Sequence, residues 1–101
     1  MSAIGVVQDR PYPGKAAEFI ALMKEAKQMA AKHGLSHRLY LSVLAGPNVG
    51  VYSSVLEAAD LATLAAGIQS MLADPANTDL GNRVREVAAL INLSQATEVP
   101  L

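Results

Sequence analysis

The sequence predicts a single α+β domain with the element order strand, helix, strand, strand, helix, strand. Segments in which apolar residues alternate with other residues are separated by longer segments in which apolar residues recur every three or four positions. These are the periods of strands and of amphipathic helices. The chain has 101 residues, which is the length of one domain with one core. We therefore expect residues 1–101 to form one domain.

A turn separates the first strand from the first helix. Residues 3–9 alternate weakly and are followed, at residues 10–14, by a sequence with two prolines and a glycine, which predicts a strand and its end. Residues 15–33 place their large apolar side chains on one side and their lysines largely on the other, so they predict an amphipathic helix. Gly34 follows at the position where a left-handed residue commonly caps a helix.

The next two segments predict a β-hairpin. Residues 36–44 and residues 49–57 both alternate with period two, and residues 46–49 between them include a glycine, a proline and an asparagine that favour a turn. In the first of these strands, His37 shares a face with the leucines at alternate positions. We expect that face to lie toward the helices.

The second half of the chain predicts two helices and a last strand. Asp60 precedes apolar residues with helical spacing, and this helix ends near residues 74–75, an aspartate and a proline. Residues 77–87 also have helical spacing but contain Gly81, and they predict a short helix. Residues 90–99 alternate again and predict the last strand.

This order is the split arrangement of ferredoxin-like folds, in which helices cover one face of a four-stranded antiparallel sheet. Alternation along the hairpin predicts the side chains of the uncovered face. They are Tyr40, Leu44, Tyr52 and Leu56, together with Ser42 and Ser54. Such a face is too apolar to remain in water, so we expect a homodimer that packs sheet against sheet.

Composition and charge exclude several classes of function. Hydrophobic residues make up 51% of the chain, which excludes a disordered polypeptide. Eight basic and nine acidic residues, without long runs of one sign, disfavour binding to nucleic acid or to an anionic membrane. No segment resembles a membrane span or a signal peptide, so we expect a soluble, cytoplasmic protein. The absence of cysteine excludes disulfides and thiol nucleophiles.

Short motifs stand at the predicted element boundaries. They are Pro13-Gly14-Lys15 and Glu18-Phe19 at the first helix, His33-Gly34 at its end, Gly46-Pro47-Asn48 in the hairpin, and Leu72-Ala73-Asp74-Pro75 at the end of the second helix. In this order they resemble the dimeric α/β-barrel superfamily, particularly its NIPSNAP-like and antibiotic-biosynthesis-monooxygenase-like branches. The resemblance implies a homodimer whose two sheets form a barrel, often with an apolar ligand pocket between sheet and helices.

The resemblance does not imply one activity. Members of the superfamily include cofactor-independent oxygenases acting on polyketide-like aromatics, lactone isomerases, cyclases, haem-degrading enzymes and proteins of unknown role. This chain has no tryptophan, so it lacks the Asn-Trp-His set associated with several of the oxygenases and haem-degrading enzymes. We expect no cofactor.

The two histidines are the first candidates for chemistry. His33 and His37 are four residues apart, but Gly34 interrupts the helix between them and no nearby carboxylate completes a metal site, so we expect no metal. In the last turn of its helix, His33 is a favourable partner for the negative end of the helix dipole. His37 is either a general base with a pKa near neutrality or a half-exposed residue at a strand end without a chemical task.

The hairpin carries the densest cluster of polar side chains. Tyr40 is the second candidate for proton transfer, and the candidate ligand-binding residues are Arg38, Tyr52, Ser42 and Ser54. Phenols and a guanidinium can orient an aromatic or enolate ligand. The alternative is that the tyrosines lie at the dimer interface, with buried rings and hydrogen-bonded hydroxyls.

The other charged residues have simpler interpretations. Asp9 and Arg10 are expected to form a solvated strand end. The carboxylate pairs Glu57 and Asp60, and Asp74 and Asp79, lie at helix boundaries, where we expect capping rather than catalysis. No phosphate-binding loop, G-x-S-x-G elbow or dinucleotide fingerprint occurs in the sequence. Nucleotide-dependent and serine-hydrolase chemistry are therefore disfavoured.

Three functional hypotheses remain. The first is a homodimeric protein that binds a small apolar or aromatic ligand, and the second is a cofactor-independent monooxygenase, isomerase or cyclase that acts on a polyketide-like substrate through His37 or Tyr40. The third is a structural oligomerisation module. A cavity of about 300 Å³ or more that contains His37 or a tyrosine hydroxyl supports the first two, whereas a solid interior supports the third.

Overall fold

The structure, a computed structural model, describes residues 1–43 and 49–101. In chain order its elements are β1 (Ala3–Pro11), α1 (Ala16–Lys32), β2 (Ser36–Leu41), β3 (Tyr52–Ala58), α2 (Leu61–Leu72), α3 (Pro75–Val87) and β4 (Ala88–Thr97). The strands form one antiparallel sheet in the order β2-β3-β1-β4. The predicted α+β, ferredoxin-like architecture is confirmed.

Side-chain caps fix where the second and third helices begin. The Thr63 backbone N–H donates to the Asp60 carboxylate at 2.7 Å, and the Ala76 N–H donates to the Asp74 carboxylate at 2.9 Å. Each carboxylate satisfies a backbone donor that has no partner within its helix. Because Asp74 caps α3 and Pro75 is its first residue, α3 begins two residues earlier than the periodicity predicts.

The first helix ends at a glycine in the left-handed conformation, as predicted. Gly34 has a φ of 79° and donates its backbone N–H to the Ala31 carbonyl at 3.1 Å. The N–H of Leu35 donates to the Ala30 carbonyl at 2.9 Å, which completes a Schellman motif. This closure reverses the chain and starts β2 against α1.

The hairpin register corrects one prediction. Leu41 lies opposite Tyr52 and Tyr40 lies opposite Ser53, so Tyr40 and Tyr52 point to opposite faces of the sheet. The prediction that both tyrosines share the uncovered face is therefore wrong. A register shift of one residue exchanges every side chain of a strand between the two faces, and the hairpin connection sets that register. The predicted turn at residues 46–48 and the predicted face residue Leu44 lie outside the described residues.

The register defines two faces. The helix-facing face carries Val7, Asp9, His37, Leu39, Tyr52, Ser54 and Leu56. His37 therefore faces the helices, as predicted. Ser54 and Leu56 were predicted on the uncovered face, and that prediction is wrong. The opposite face, the outer sheet face, carries Ile4, Val6, Gln8, Arg38, Tyr40, Ser53, Val55, Glu57, Asn92, Ser94 and Ala96. None of these outer residues is buried in the single chain.

The core between helices and sheet consists of two clusters. One contains Phe19, Met23, Leu80, Val84, Val87 and Ala88, and the other contains Ala3, Ala30, Leu35, Ala58 and Leu64. Several members are alanines, so the core contains few large side chains. The space between the clusters is incompletely filled, and the candidate site lies there.

Across residues 1–43 and 49–101, none of the helices has the length and apolar character needed to cross a membrane.

Candidate functional site

A cavity of about 200 Å³, the inner cavity, lies between the helix-facing face and the three helices. Most of its wall is apolar and comes from β1, β3 and the helices. Its polar side chains are Asp9, His37, Ser54, Asn77 and Arg85. Few polar groups on an apolar wall are typical of sites that bind and orient a small molecule.

A second cavity of about 500 Å³ adjoins the first toward β4. The two cavities share Val7, Leu56, Met71 and Asn77 as wall residues. The second one is more apolar, and neither histidine nor tyrosine is among its described wall residues. The inner cavity is smaller than the expected size of about 300 Å³, and it shares part of its wall with a larger apolar space.

The His37 side chain forms part of the wall of the inner cavity. It is 6% exposed and makes no side-chain hydrogen bond within the described parts of the chain. Burial lowers the pKa of His37, and the positive charge of Lys27 lowers it further. The imidazole is consequently neutral at pH 7, and one of its ring nitrogens can accept a proton or a hydrogen bond.

An ion pair with a buried carboxylate forms another part of the cavity wall. The Asp9 side chain is 2% exposed and accepts a hydrogen bond from the guanidinium of Arg85, which also donates to the Ala88 carbonyl at 3.3 Å. The pairing of β1 with β4 shifts register between Gln8 and Asp9, and such bulges re-aim neighbouring side chains. The prediction that Asp9 belongs to a solvated strand end is wrong, because its carboxylate lies under α3 and has a cationic partner there.

The predicted site residues divide between several places. His37 and Ser54 both line the inner cavity, where the Ser54 hydroxyl donates to the Met23 sulfur at 3.4 Å. Tyr52 packs its ring on Phe19 with the ring centroids 5.1 Å apart, and it lies outside the described wall of the cavity. Ser42 follows β2, where its backbone N–H donates to the Val51 carbonyl at 3.0 Å. The structure therefore does not assemble the predicted hairpin cluster at one point.

Arg38 and Tyr40 line a separate groove of about 420 Å³ between α1 and β2, which we call the edge groove. His37 and Met23 belong to the walls of both the edge groove and the inner cavity. His37 is thus the point at which the two spaces meet. Tyr40 is 53% exposed and belongs to the wall of the edge groove but not to that of the inner cavity.

The other histidine takes part in a polar cluster that joins α1 to α2 and α3. The ring nitrogens of His33 lie 2.6 Å from the Ser70 hydroxyl and 2.9 Å from the Asp74 carboxylate. Hydrogen bonds from His33 and Lys32 and from the Ala76 N–H lower the pKa of Asp74 to about 2. Because Asp74 also caps α3, we interpret the cluster as a structural connection between helix ends.

No group of three or more His, Cys, Asp or Glu side chains is placed to hold a metal ion within residues 1–43 and 49–101. His33 and His37 lie on different elements with separate surroundings, since His33 ends α1 and His37 belongs to β2.

Sequence reasoning missed three residues of the cavity wall, all on one side of α3. Asn77, Gly81 and Arg85 are spaced by four residues and therefore share a side of the helix, next to the cavity. A Cβ atom built on Gly81 has no neighbour within 4 Å. The spacing was visible in the sequence, but only the packing of α3 shows that this side faces a cavity rather than solvent.

No protein-family model matches the chain, and no curated protein matches it in sequence. Solved structures resemble it over nearly its full length. A mutant of SnoaB, a cofactor-independent oxygenase from Streptomyces nogalater, superposes with a TM-score of 0.73 at 15% identity, over 99% of this chain and 95% of that one. A NIPSNAP domain protein from Burkholderia xenovorans gives a TM-score of 0.74 at 17% identity, over 98% and 94% of the two chains.

A structure assigned to the antibiotic biosynthesis monooxygenases, from Bordetella bronchiseptica, gives a TM-score of 0.74 at 16% identity, over 98% of both chains. At such low identity these likenesses concern the fold alone. The structural neighbours match the two branches that the sequence motifs indicate. The chain has the ferredoxin-like α+β fold of the NIPSNAP and antibiotic-biosynthesis-monooxygenase structures.

Proposed function

We propose that the protein is a homodimer that binds a small apolar or aromatic molecule between its sheet and its helices. The observation that carries this proposal is the inner cavity, whose largely apolar wall contains a neutral imidazole that is 6% exposed, makes no side-chain hydrogen bond in the described chain and keeps its ring nitrogens accessible. Apolar walls favour a ligand with a largely apolar surface, and the few polar groups would fix its orientation. The edge groove also contains His37 and, at about 420 Å³, exceeds the expected size of about 300 Å³, which disfavours the third hypothesis, a purely structural module.

A second candidate function is cofactor-independent proton transfer on the bound molecule. The lowered pKa keeps His37 neutral, so its free ring nitrogen is available to accept a proton from an acidic C–H or phenol of the ligand. The fold likeness to SnoaB, which is a cofactor-independent oxygenase, is compatible with this chemistry. Tyr40 is a weaker candidate, because it lines the edge groove and not the inner cavity.

The proposed homodimer follows from the outer sheet face. Ile4, Val6 and Val55 form an apolar centre on this face, and none of them is buried in the single chain. Beside it, the Gln8 side chain donates to the Ser53 hydroxyl at 3.2 Å, so part of the polar surface is already satisfied. A second copy packed on this face would remove the apolar centre from water and stabilise both chains.

Filling the mouth of the inner cavity tests the ligand-binding proposal. A leucine in the variant Gly81→Leu would stand between Asn77 and Arg85 beside the cavity without meeting another atom at its Cβ. We expect Gly81→Leu to weaken binding of naphthalene-sized aromatic probes by roughly tenfold or more, since the added side chain takes up space that a ligand needs. Gly81→Ala is the matched control and should have a small effect. Equal affinities for the parent and Gly81→Leu would contradict the assignment of this cavity.

Turnover is a separate measurement. On a panel of polyketide-like aromatics, an enzyme of the proposed kind should lose activity in His37→Gln, with binding retained and with the drop confined to kcat. Tyr40→Phe serves as the comparison and should retain most of the activity, because its hydroxyl lies outside the inner cavity. An active parent with unchanged kcat in His37→Gln would remove His37 from the chemistry.

A further inference from the structure

The wall of the edge groove contains several cationic residues and no carboxylate among the described residues, whereas the inner cavity contains Asp9 paired with Arg85. It lies between α1 and the edge strand β2, and its volume is about 420 Å³. Its charged or titratable wall residues are Lys24, Lys27, His37, Arg38 and Tyr40. The remaining wall residues are Ile20, Met23 and Leu39, which are apolar. No carboxylate belongs to this wall among the described residues.

The distribution of ion pairs makes this groove unusual within the molecule. The chain has eight lysines and arginines and a net charge of −1. Carboxylates of described residues pair, among others, with Lys15, Lys32, Arg83 and Arg85. By contrast, Lys24, Lys27 and Arg38 make no ion pair with any described residue, and all three line the edge groove. Positive charge is therefore concentrated where no protein carboxylate balances it.

The edge groove also adjoins the inner cavity. Met23 and His37 are wall residues of both spaces, so a molecule in the groove lies against the same imidazole that the inner cavity presents. His37 is 6% exposed and makes no side-chain hydrogen bond in the described chain, and its ring nitrogens remain accessible to solvent. A ligand group at this boundary would replace solvent as the hydrogen-bond partner of the ring.

We infer that the edge groove binds the anionic head group of a ligand whose apolar body reaches past His37 into the inner cavity. This inference rests on the proposed ligand-binding function and narrows its substrate class to amphiphilic anions. Three cations without internal partners attract a negative group, and the apolar wall residues accept the adjoining hydrocarbon. Carboxylate and phosphate share this chemistry, because both offer several acceptor oxygens to lysine and arginine.

Three probes of one shape test the inference. They are 2-naphthoate, 2-naphthyl phosphate and the neutral 2-naphthamide, and their affinities for the full chain are measured by calorimetry. We expect at least one anion to bind on the order of tenfold more tightly than the amide. The variants Lys24→Gln, Lys27→Gln and Arg38→Gln should each weaken that anion roughly two- to fivefold and leave the amide unchanged.

Two controls separate this effect from general changes in charge or folding. Lys15→Gln removes a cation that is paired with Glu18 outside the groove, and it should leave all three affinities unchanged. Raising the salt concentration from about 0.01 M to about 1 M shortens the screening length from about 30 Å to about 3 Å. In the unmodified protein this should weaken the anions but not the amide, and it needs no variant to fold.

The outcomes distinguish the two proposals. Preference for naphthoate or for naphthyl phosphate supports the groove and identifies the head group. Equal affinity for the anions and the amide, without salt dependence, overturns the anion groove and leaves the ligand-binding cavity intact. Failure of all three probes to bind overturns the proposed function for aromatic ligands, and the groove with it.

Discussion

Two physical effects lower the pKa of His37, which are its burial and the positive charge of Lys27. Apolar surroundings disfavour the charged ring, and Lys27 across the edge groove disfavours it further. The charged and titratable residues that line the two spaces beside the ring are Lys24, Lys27, Arg38 and Tyr40 in the groove and Asp9 and Arg85 in the cavity. Without a bound anion, the environment therefore keeps the ring neutral.

We expect the His37 ring to titrate below its ordinary pKa in ¹H–¹³C spectra of the folded protein, and Lys27→Gln to raise that pKa. The unfolded chain takes up the proton at the ordinary value of about 6.5, whereas the folded chain resists it. The free energy of unfolding should therefore fall as the pH drops through about 6.5 toward the lowered folded pKa.

This part of the pH dependence should be absent in His37→Gln, which serves as the matched control in urea unfolding. The Asp74 carboxyl, with its pKa lowered to about 2, contributes only at more acidic pH, as the pH falls below its ordinary value toward 2. A ring that titrates at or above the ordinary value would contradict the burial of an unpartnered imidazole.

For single residues, the sequence alone could predict some side-chain positions and not others. Alternation along β2 was sufficient to place His37 toward the helices. It could not reveal the burial of Asp9, because the cation that stabilises this carboxylate, Arg85, is 76 positions away in the chain. Strand-end aspartates are commonly solvated, and only a specific long-range partner makes the buried position tolerable.

At the level of elements, two helical glycines have different roles. Gly67 allows close packing of its helix, whereas Gly81 leaves open space beside its helix. A Cβ on Gly67 in α2 would lie 2.7 Å from a methyl group of Leu35, which is 3% exposed and cannot move freely. A Cβ on Gly81 in α3 would meet nothing within 4 Å. Gly67 therefore allows close approach of α2 to the core, whereas Gly81 leaves room beside the cavity.

We expect opposite signs for the two alanine variants. Gly81→Ala should raise the free energy of unfolding by about 0.5–1 kcal/mol, because alanine is the better helix former and the site is open. Gly67→Ala should lower it by about 1–2 kcal/mol, because the clash with Leu35 exceeds the same gain. Urea unfolding measures both. Stabilisation by Gly67→Ala would show that the core at Leu35 is looser than described.

All the predicted strands and helices are present, because hydrophobic periodicity is a local property. The boundaries depend on caps, and Asp74 shows this by starting α3 before its apolar pattern begins. The sequence could not predict which β3 side chains lie on the helix side of the sheet, because this depends on the register between β2 and β3 rather than on either strand alone. That single difference moved Tyr52, Ser54 and Leu56 from the predicted dimer face to the helix side.

At the level of the whole molecule, the outer sheet face makes the proposed homodimer testable. Val6 lies on the central strand β1, opposite Val55 on β3 and Ser94 on β4. We expect the parent to sediment as a dimer at micromolar concentration and Val6→Glu to sediment as a folded monomer, because dimerisation would bury an unpaired charge. Leu61→Glu, at an exposed position on α2, is the control and should remain dimeric. A monomeric parent would contradict the proposal.

The position of a bound aromatic ring tests the central claim most directly. In a crystal structure of the protein with 2-naphthoate or 2-naphthyl phosphate, we expect the naphthalene between Leu56, Met71 and His37, with the anionic group toward Lys27 and Arg38. These residues surround the inner cavity and the edge groove that His37 joins. A ring bound on the outer sheet face, or an inner cavity that stays empty at saturating ligand, would contradict the account.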